Sequence, residues 1–327
     1  MLCNPPHLPE ATAQHPSMLD PWQMAQHWGV GTVMAVLTAI HGPAYRDPGA
    51  AMAIAADGRF AGAITAGCVE ADIILRAEQV RQTGTVQCLR YGDGSPFFDL
   101  RLPCGGAVEV RLFLLRDPEV LDALADARTQ RRAVSLQING DGRMSLQAWH
   151  PTGLNDTTFH CGFTPALRFL IFGNGPESAA FSSLVHGLGY DHLLLSHVQS
   201  ILAVARASGS PTQEIGTLAT LDDLSCDAQT AVVLFYHDHD YEPLILQRMV
   251  HTGAFYIGAQ GSRSTQARRL ERLAALGLDK SELVRIRGPI GLTQSSRDPR
   301  SLAISVLAEI VDLYARTETA RLLETAR

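Results

Sequence analysis

No Cys-x-x-Cys pair occurs anywhere in this chain. Its six cysteines (Cys3, Cys68, Cys88, Cys104, Cys161 and Cys226) are scattered over 327 residues. That spacing argues against a disulfide framework and against a structural zinc site. A basic excess is missing too. The net charge is −6, so nothing electrostatic points to DNA or RNA as a partner. No apolar run approaches the ~18 residues a membrane helix needs, so no membrane partner is expected. The first residues are rich in Pro and His and lack the apolar stretch of a secretory signal. Residues 1–17 therefore read as a flexible tail, and a cytoplasmic location is expected. Charged residues make up only 18% against 46% hydrophobic, a balance that describes a globular chain with ample core. The length suits two domains.

Local patterns divide the chain. Over 18–150 the pattern is α+β: a short helix at Leu19 to Gly29, a strand at Thr32 to Ile40, and a hairpin around Asp57-Gly58. A helix follows Gly67, with Val69, Ile73, Ala77 and Val80 at helical spacing and Gly84 placed for a left-handed cap. Strands at Val86 to Tyr91 and Ala107 to Leu115, a helix at Pro118 to Arg128 and a hairpin at Asn139 to Gly142 complete this half. The polar stretch 151–166, with Pro151, Gly153, Gly162 and Pro165, reads as a linker. Over 167–327 short apolar strands alternate with helices, the pattern of a doubly wound parallel sheet. Asp298-Pro299 reads as the N-cap and first residue of the last helix.

Three glycine-bearing stretches carry most of the functional signal: Gly173-Asn174-Gly175, Gly258 to Arg263, and Gly288 to Leu292. The first two follow apolar runs and precede helical patterns, so their backbone N–H groups can make an anion site at one sheet edge. Gly173 and Gly175 begin a dinucleotide fingerprint. Ser178, however, stands at the third small position, and Leu194 to His197 holds no acid for a ribose. Pro176-Glu177 removes a donor and adds negative charge. The turn is open to three readings: a structural turn, an NAD site, or a site for another nucleotide or a pterin phosphate. Gly258, Gly261, Ser262 and Arg263 make a better anion site, through close backbone approach, a hydroxyl and a guanidinium. Arg268, Arg269 and Arg272 read as a solvated or interface face. His237-Asp238-His239-Asp240 ends a strand and reads as a plain loop, a metal-ligand set, or a base or phosphate contact.

Two thiols have settings the others lack. Cys68 sits in the turn just ahead of a helix, where the helix N-terminus favours thiolate. Cys104 precedes Gly105-Gly106, which leave room around the sulfur. The alternative for both is a small buried residue. Cys3, Cys88, Cys161 and Cys226 read as packing or incidental.

The stretches Gly67-Cys68-Val69-Glu70, Leu89-Arg90-Tyr91-Gly92, Cys104-Gly105-Gly106 with Glu109, His237 to Asp240, Tyr256 to Arg263, Ala267 to Leu270, Gly288 to Leu292 and Ala303 to Ile310 together resemble the XdhC/CoxI family. These are accessory proteins in the maturation of xanthine dehydrogenase and related molybdenum hydroxylases. The resemblance implies an α+β domain followed by a Rossmann-like domain, paired as a homodimer. It implies binding and protection of molybdenum cofactor (molybdopterin), acquisition of its terminal sulfur from a cysteine desulfurase, and delivery to an apo-hydroxylase, without turnover of its own. Carried onto this sequence, it puts Cys68 and Cys104 beside molybdenum or its sulfur, flanked by Glu70 and Gly105. Phosphate falls to Gly258, Gly261, Ser262 and Arg263, and further cofactor contacts to Gly173, Gly175 and His237.

The chain departs from the family pattern at Gly42 to Arg46, which keeps an Arg but no Ser, and at Pro176. It also lacks an acidic end to the second Rossmann strand. These departures weaken nucleotide binding at Gly173 more than at Gly258. Two other readings compete: an NAD(P)-dependent oxidoreductase binding dinucleotide at Gly173 and Gly175, and a molybdopterin nucleotidyltransferase using a divalent metal at Asp238 and Asp240.

Overall fold

The computed structural model describes residues 15–95, 102, 105–217, 221, 224–236, 241–293 and 298–325. The chain forms two compact units, 1–165 and 166–327.

In the first unit, α1 (Pro21–Trp28) starts where Asp20 accepts hydrogen bonds from the backbone of Trp22 and Gln23 and Pro21 opens the helix. The main sheet holds β1 (Val33–His41), β2 (Ala51–Ile54), β3 (Phe60–Gly62), β4 (Gln87–Gly92) and β5 (Ala107–Leu114). It is antiparallel, in the order β3-β2-β1-β5-β4. The central strand β1 is apolar on both faces because both are covered. Met34 and Val36 pack with α1 and α3 (Glu119–Thr129), while Val33, Ala35 and Leu37 pack under α2 (Glu70–Thr83). Helix α2 buries Ile73, Ala77 and Val80, and Gly84 caps it at φ 67.

The stretch read as a linker is instead folded. β6 (Val134–Ile138), β7 (Met144–Ala148), β8 (Gly153–Asn155) and β9 (Thr158–Phe163) form a second antiparallel sheet, ordered β7-β6-β9-β8. Phe159 and Cys161 are buried on one face of β9 while Thr158 and His160 are half-buried on the other. That alternation is the strand signal, and the flanking Gly, Pro and polar residues masked it. The buried Arg111 fastens the sheet by donating to the carbonyls of Ile138 and Thr157.

The second unit is a parallel sheet of β10 (Arg168–Gly173), β11 (Asp191–Ser196), β12 (Thr212–Glu214), β13 (Thr230–Phe235), β14 (Tyr256–Ala259) and β15 (Ile286–Arg287). Its order is β12-β11-β10-β13-β14-β15. Helices α4 (Pro176–Gly187), α5 (Gln199–Ala207), α6 (Glu242–Met249), α7 (Arg263–Ala275), α8 (Lys280–Val284) and α9 (Pro299–Thr325) connect or follow the strands. β13 is buried throughout because both its faces are covered, by Val232 and Leu234 in one core and Val233 and Phe235 in the other. The strand order reverses between β10 and β13. A doubly wound sheet opens its ligand crevice there, at the carboxyl ends of the strands. An α+β unit followed by a Rossmann-like unit is the expected fold class. Among the described residues no helix is long and apolar enough to cross a membrane.

Candidate functional site

Cys68 stands at the end of a loop closed from within by Glu70. The Glu70 carboxylate is buried and accepts from the backbone N–H of Ile64 (3.1 Å), Thr65 (2.6 Å) and Val69 (3.1 Å), and from the Thr65 hydroxyl (2.8 Å). The Thr65 hydroxyl oxygen in turn accepts from the Cys68 N–H at 3.1 Å. Burial works to raise the Glu70 carboxyl, but the hydrogen bonds from Thr65 and Val69 outweigh it and hold the group below its usual range. Glu70 therefore shapes the loop, and its oxygens are already engaged. The Cys68 side chain is half-buried against a core that includes Ile40 and Ala44.

The same end of the main sheet gathers residues of two other stretches of the family pattern, Leu89 to Gly92 and Gly105 to Glu109. Tyr91 donates to Asp72 at 2.7 Å and so ties the first turn of α2, just after Cys68, to the end of β4. Gly92 there pairs with Ala107, and a Cβ on Gly92 would lie 2.1 Å from the Gly106 carbonyl. A Cβ on Gly106 would lie 2.1 Å from the Pro43 carbonyl, so three loops meet backbone to backbone. Gly105 takes φ 74 with open space where a Cβ would be. Glu109 bonds His41 (2.8 Å) and Arg90 (3.4 Å) at this edge. Cys104 lies outside the described residues. Of the remaining cysteines, burial pushes Cys161 up to about 12 and Cys226 upward as well, which suits packing roles.

In the second unit Gly173 is a contact glycine. A Cβ there would lie 2.6 Å from the Ser178 Cβ and 2.8 Å from the Phe235 carbonyl. Ser178, at the third small position, is fully buried and donates to the Gly175 carbonyl at 2.8 Å. Gly175 is the N-cap of α4 and Pro176 its first residue, so one N–H donor is missing from that end. Across the end of β10, His197 stacks on Tyr241 with centroids 4.4 Å apart. Sequence reasoning passed over this pair, because nothing in either residue's neighbourhood marks a long-range stack.

At the third glycine stretch, Glu309 of α9 accepts from the Tyr256 hydroxyl (2.9 Å) and from the Gly291 N–H.

Gly258 lies inside β14, where a Cβ would meet the Tyr256 ring at 2.5 Å and Ile290 at 2.7 Å. It serves packing, and the exposed part of the turn begins at Gly261. Ser262 caps α7, its oxygen accepting from the Thr265 N–H at 3.1 Å. Gly261, Ser262 and Arg263 are all exposed. The arginines after them do not form one solvated face. Arg269 is buried and grips Glu242 through Nε–Oε1 (2.6 Å) and Nη2–Oε2 (3.0 Å). Its Nη2 also donates to the Gln260 carbonyl at 2.5 Å, which fixes the turn. Arg268 and Arg272 are exposed and, with Glu242, Pro243, Thr265 and Arg269, line a cavity of about 190 Å³. His237, with Asp238, His239 and Asp240, lies outside the described residues. Among the described residues no cluster of three or more His, Cys, Asp or Glu is placed to hold a metal ion.

Known proteins match along most of the chain. Residues 169–310 match the XdhC Rossmann domain, and residues 25–92 match the XdhC and CoxI family. The chain is 35% identical to the molybdenum cofactor insertion chaperone PaoD of Escherichia coli (strain K12), covering 89% of this chain and 86% of that one. It is 22% identical to a probable xanthine dehydrogenase subunit of Bacillus subtilis (strain 168), over 87% and 93% of the two chains. A crystal structure described as a xanthine dehydrogenase from Bacillus halodurans shares the fold, with a TM-score of 0.71 at 20% identity over 91% and 96% of the two chains. Matches to both units, together with the near full-length identity to PaoD, place this chain in the XdhC and CoxI family.

Proposed function

We propose that this chain carries molybdenum cofactor as cargo, shields it, assists its sulfuration and inserts it into a xanthine-dehydrogenase-like hydroxylase. The observation that carries the reading is the 35% identity, along nearly the whole chain, with a molybdenum cofactor insertion chaperone. The local chemistry supports it. A soft, sulfur-rich metal centre favours a thiol neighbour, and the loop closed by Glu70 presents Cys68 at the start of α2. Cys104 precedes Gly105-Gly106 in the sequence, and we assign it to the metal centre with Cys68. The exposed Gly261–Arg263 turn opens α7 and carries an arginine, a setting that suits a phosphate.

In this account the chain works in the cytoplasm as a homodimer. A cysteine desulfurase supplies the terminal sulfur, and docking to the apo-hydroxylase triggers release. The test is anaerobic transfer of cofactor from the loaded chain to an apo-hydroxylase, read as hydroxylase activity. Activation faster than with free cofactor is expected, and it should be lost in Cys68→Ser and kept in Cys88→Ser. Equal activation by free cofactor would contradict the proposal.

A further inference from the structure

The amino ends of the second unit's strands carry a histidine pair, at the edge of the sheet away from the ligand crevice. Asp191, the first residue of β11, pairs with Arg168, the first of β10, and His192 pairs with Phe169. His192 is only 5% exposed. Its Nδ1 lies 2.9 Å from the Tyr190 carbonyl oxygen. A carbonyl can only accept, so the ring hydrogen sits on Nδ1 and Nε2 keeps a lone pair. That Nε2 is buried and has no hydrogen-bond partner among the described residues. Burial, aided by His186, outweighs the Tyr190 carbonyl and Asp191 and holds the His192 pKa below its usual value, so the ring is neutral at pH 7.

His186, in the last turn of α4, is the other member of the pair. The two rings meet at 61° with centroids 5.6 Å apart. A Cβ on Gly209, just past α5, would lie 2.6 Å from the His186 Nε2. Gly209 takes φ 85, and its missing side chain leaves space beside that nitrogen. The Ser183 and Ser208 hydroxyls, 2.9 Å apart, tie α4 to the end of α5 in the same corner. Ser182, one turn before His186, and Ser210, next to Gly209, are both buried. Neither hydroxyl has a partner among the described residues. Buried polar atoms without partners are rare, and several together call for water or an ion.

An ion suits the chemistry of the pair. Two imidazoles that share one tetrahedral ion at a Zn–N distance of ~2.0–2.1 Å hold their centroids roughly 5 Å apart. A ligating histidine commonly donates its other ring N–H to a backbone carbonyl, as His192 does to Tyr190. Imidazole favours zinc, copper and nickel over magnesium and calcium. His186 is exposed, so an ion reaches the corner from solvent. We propose that His186 and His192 bind one divalent transition-metal ion of the zinc class between α4 and the turn after α5. Water or a serine hydroxyl completes its coordination. The site is independent of the cofactor reading.

The experiment uses untagged protein, reduced, stripped with a chelator and dialysed to equilibrium against micromolar Zn(II). Bound zinc is then counted by mass spectrometry of the digested protein. Wild type, His186→Ala, His192→Asn and His27→Ala are compared, each checked for folding by circular dichroism. Asn keeps an N–H for the Tyr190 carbonyl and lacks Nε2. His27 is an exposed histidine of α1 and serves as the control. Wild type and His27→Ala should bind equally, and His186→Ala and His192→Asn should each bind one ion fewer per chain. Counting the difference sets aside any zinc held by thiols, which all four proteins share. No zinc in wild type, or unchanged zinc in either histidine variant of the pair, would overturn the site. If His192→Asn fails to fold, His186→Ala, altered at an exposed position, decides alone.

Discussion

Arg269 and Glu242 form a bidentate ion pair, Nε to Oε1 at 2.6 Å and Nη2 to Oε2 at 3.0 Å, with both side chains 2% exposed. The pair joins α7 to the start of α6, and through the Gln260 carbonyl it sets the turn that carries Ser262 and Arg263. Such a pair is costly to break because its surviving partner stays buried and charged. Arg269→Ala should therefore destabilise the second unit by about 3–5 kcal/mol, read as a shift in the urea midpoint. Arg269→Met with Glu242→Leu should lose much less.

Glu70 gives a stability term with a definite pH sign. Its carboxyl is held below the ordinary value of 4.5, so its contribution is complete above that value. It is lost as pH falls through the lowered folded value. Glu70→Gln turns an acceptor toward backbone donors into a partial donor and should cost about 1.5–3 kcal/mol at pH 7. The gap between wild type and variant should close as the pH falls through the lowered folded value. Urea titrations at pH 7 and at acid pH measure it, and a gap that widened in acid would contradict the assignment.

Gly173 admits no side chain without a backbone shift. Gly173→Ala places a methyl 2.6 Å from the Ser178 Cβ and 2.8 Å from the Phe235 carbonyl. A loss of about 1–3 kcal/mol is expected, the range for overpacked sites. Adding Ser178→Gly should restore only part of it, because the Phe235 carbonyl remains. Thermal unfolding of the three variants tests this.

The thiols should separate by chemistry. An alkylating reagent should label exposed Cys88 readily in the native protein and spare buried Cys161, whose thiol is pushed up to about 12. Bound cofactor should protect Cys68 and leave Cys88 labelled. Peptide mass mapping with and without cofactor reads both effects.

Much of this architecture was legible in the chain because its signals are local. Apolar periodicity placed Ile73, Ala77 and Val80 on the buried face of α2, and Gly84 and Asp298 marked the helix ends where the structure has them. Strands β8 and β9 were missed because a six-residue alternation carries little weight among glycines and polar residues. The three-residue β12 and the five-residue α8 are too short to show a period. The site was read by residue type, and type cannot say where a side chain ends up. Glu70 turns inward to its own loop, Gly258 packs against Ile290, and Arg269 is buried by a glutamate 27 positions earlier. The stack of His197 on Tyr241 depends on strand order, which no stretch of the sequence spells out.

The central claim is that this chain carries molybdenum cofactor and that Cys68 helps hold it. It is tested most directly on protein purified anaerobically from a cofactor-producing host. Molybdenum is assayed together with the fluorescent oxidation product of molybdopterin, in wild type and in Cys68→Ser. The account predicts both signals in wild type, in proportion to protein, and molybdenum depleted in Cys68→Ser. Neither signal in wild type, with no uptake when free cofactor is added, would contradict it.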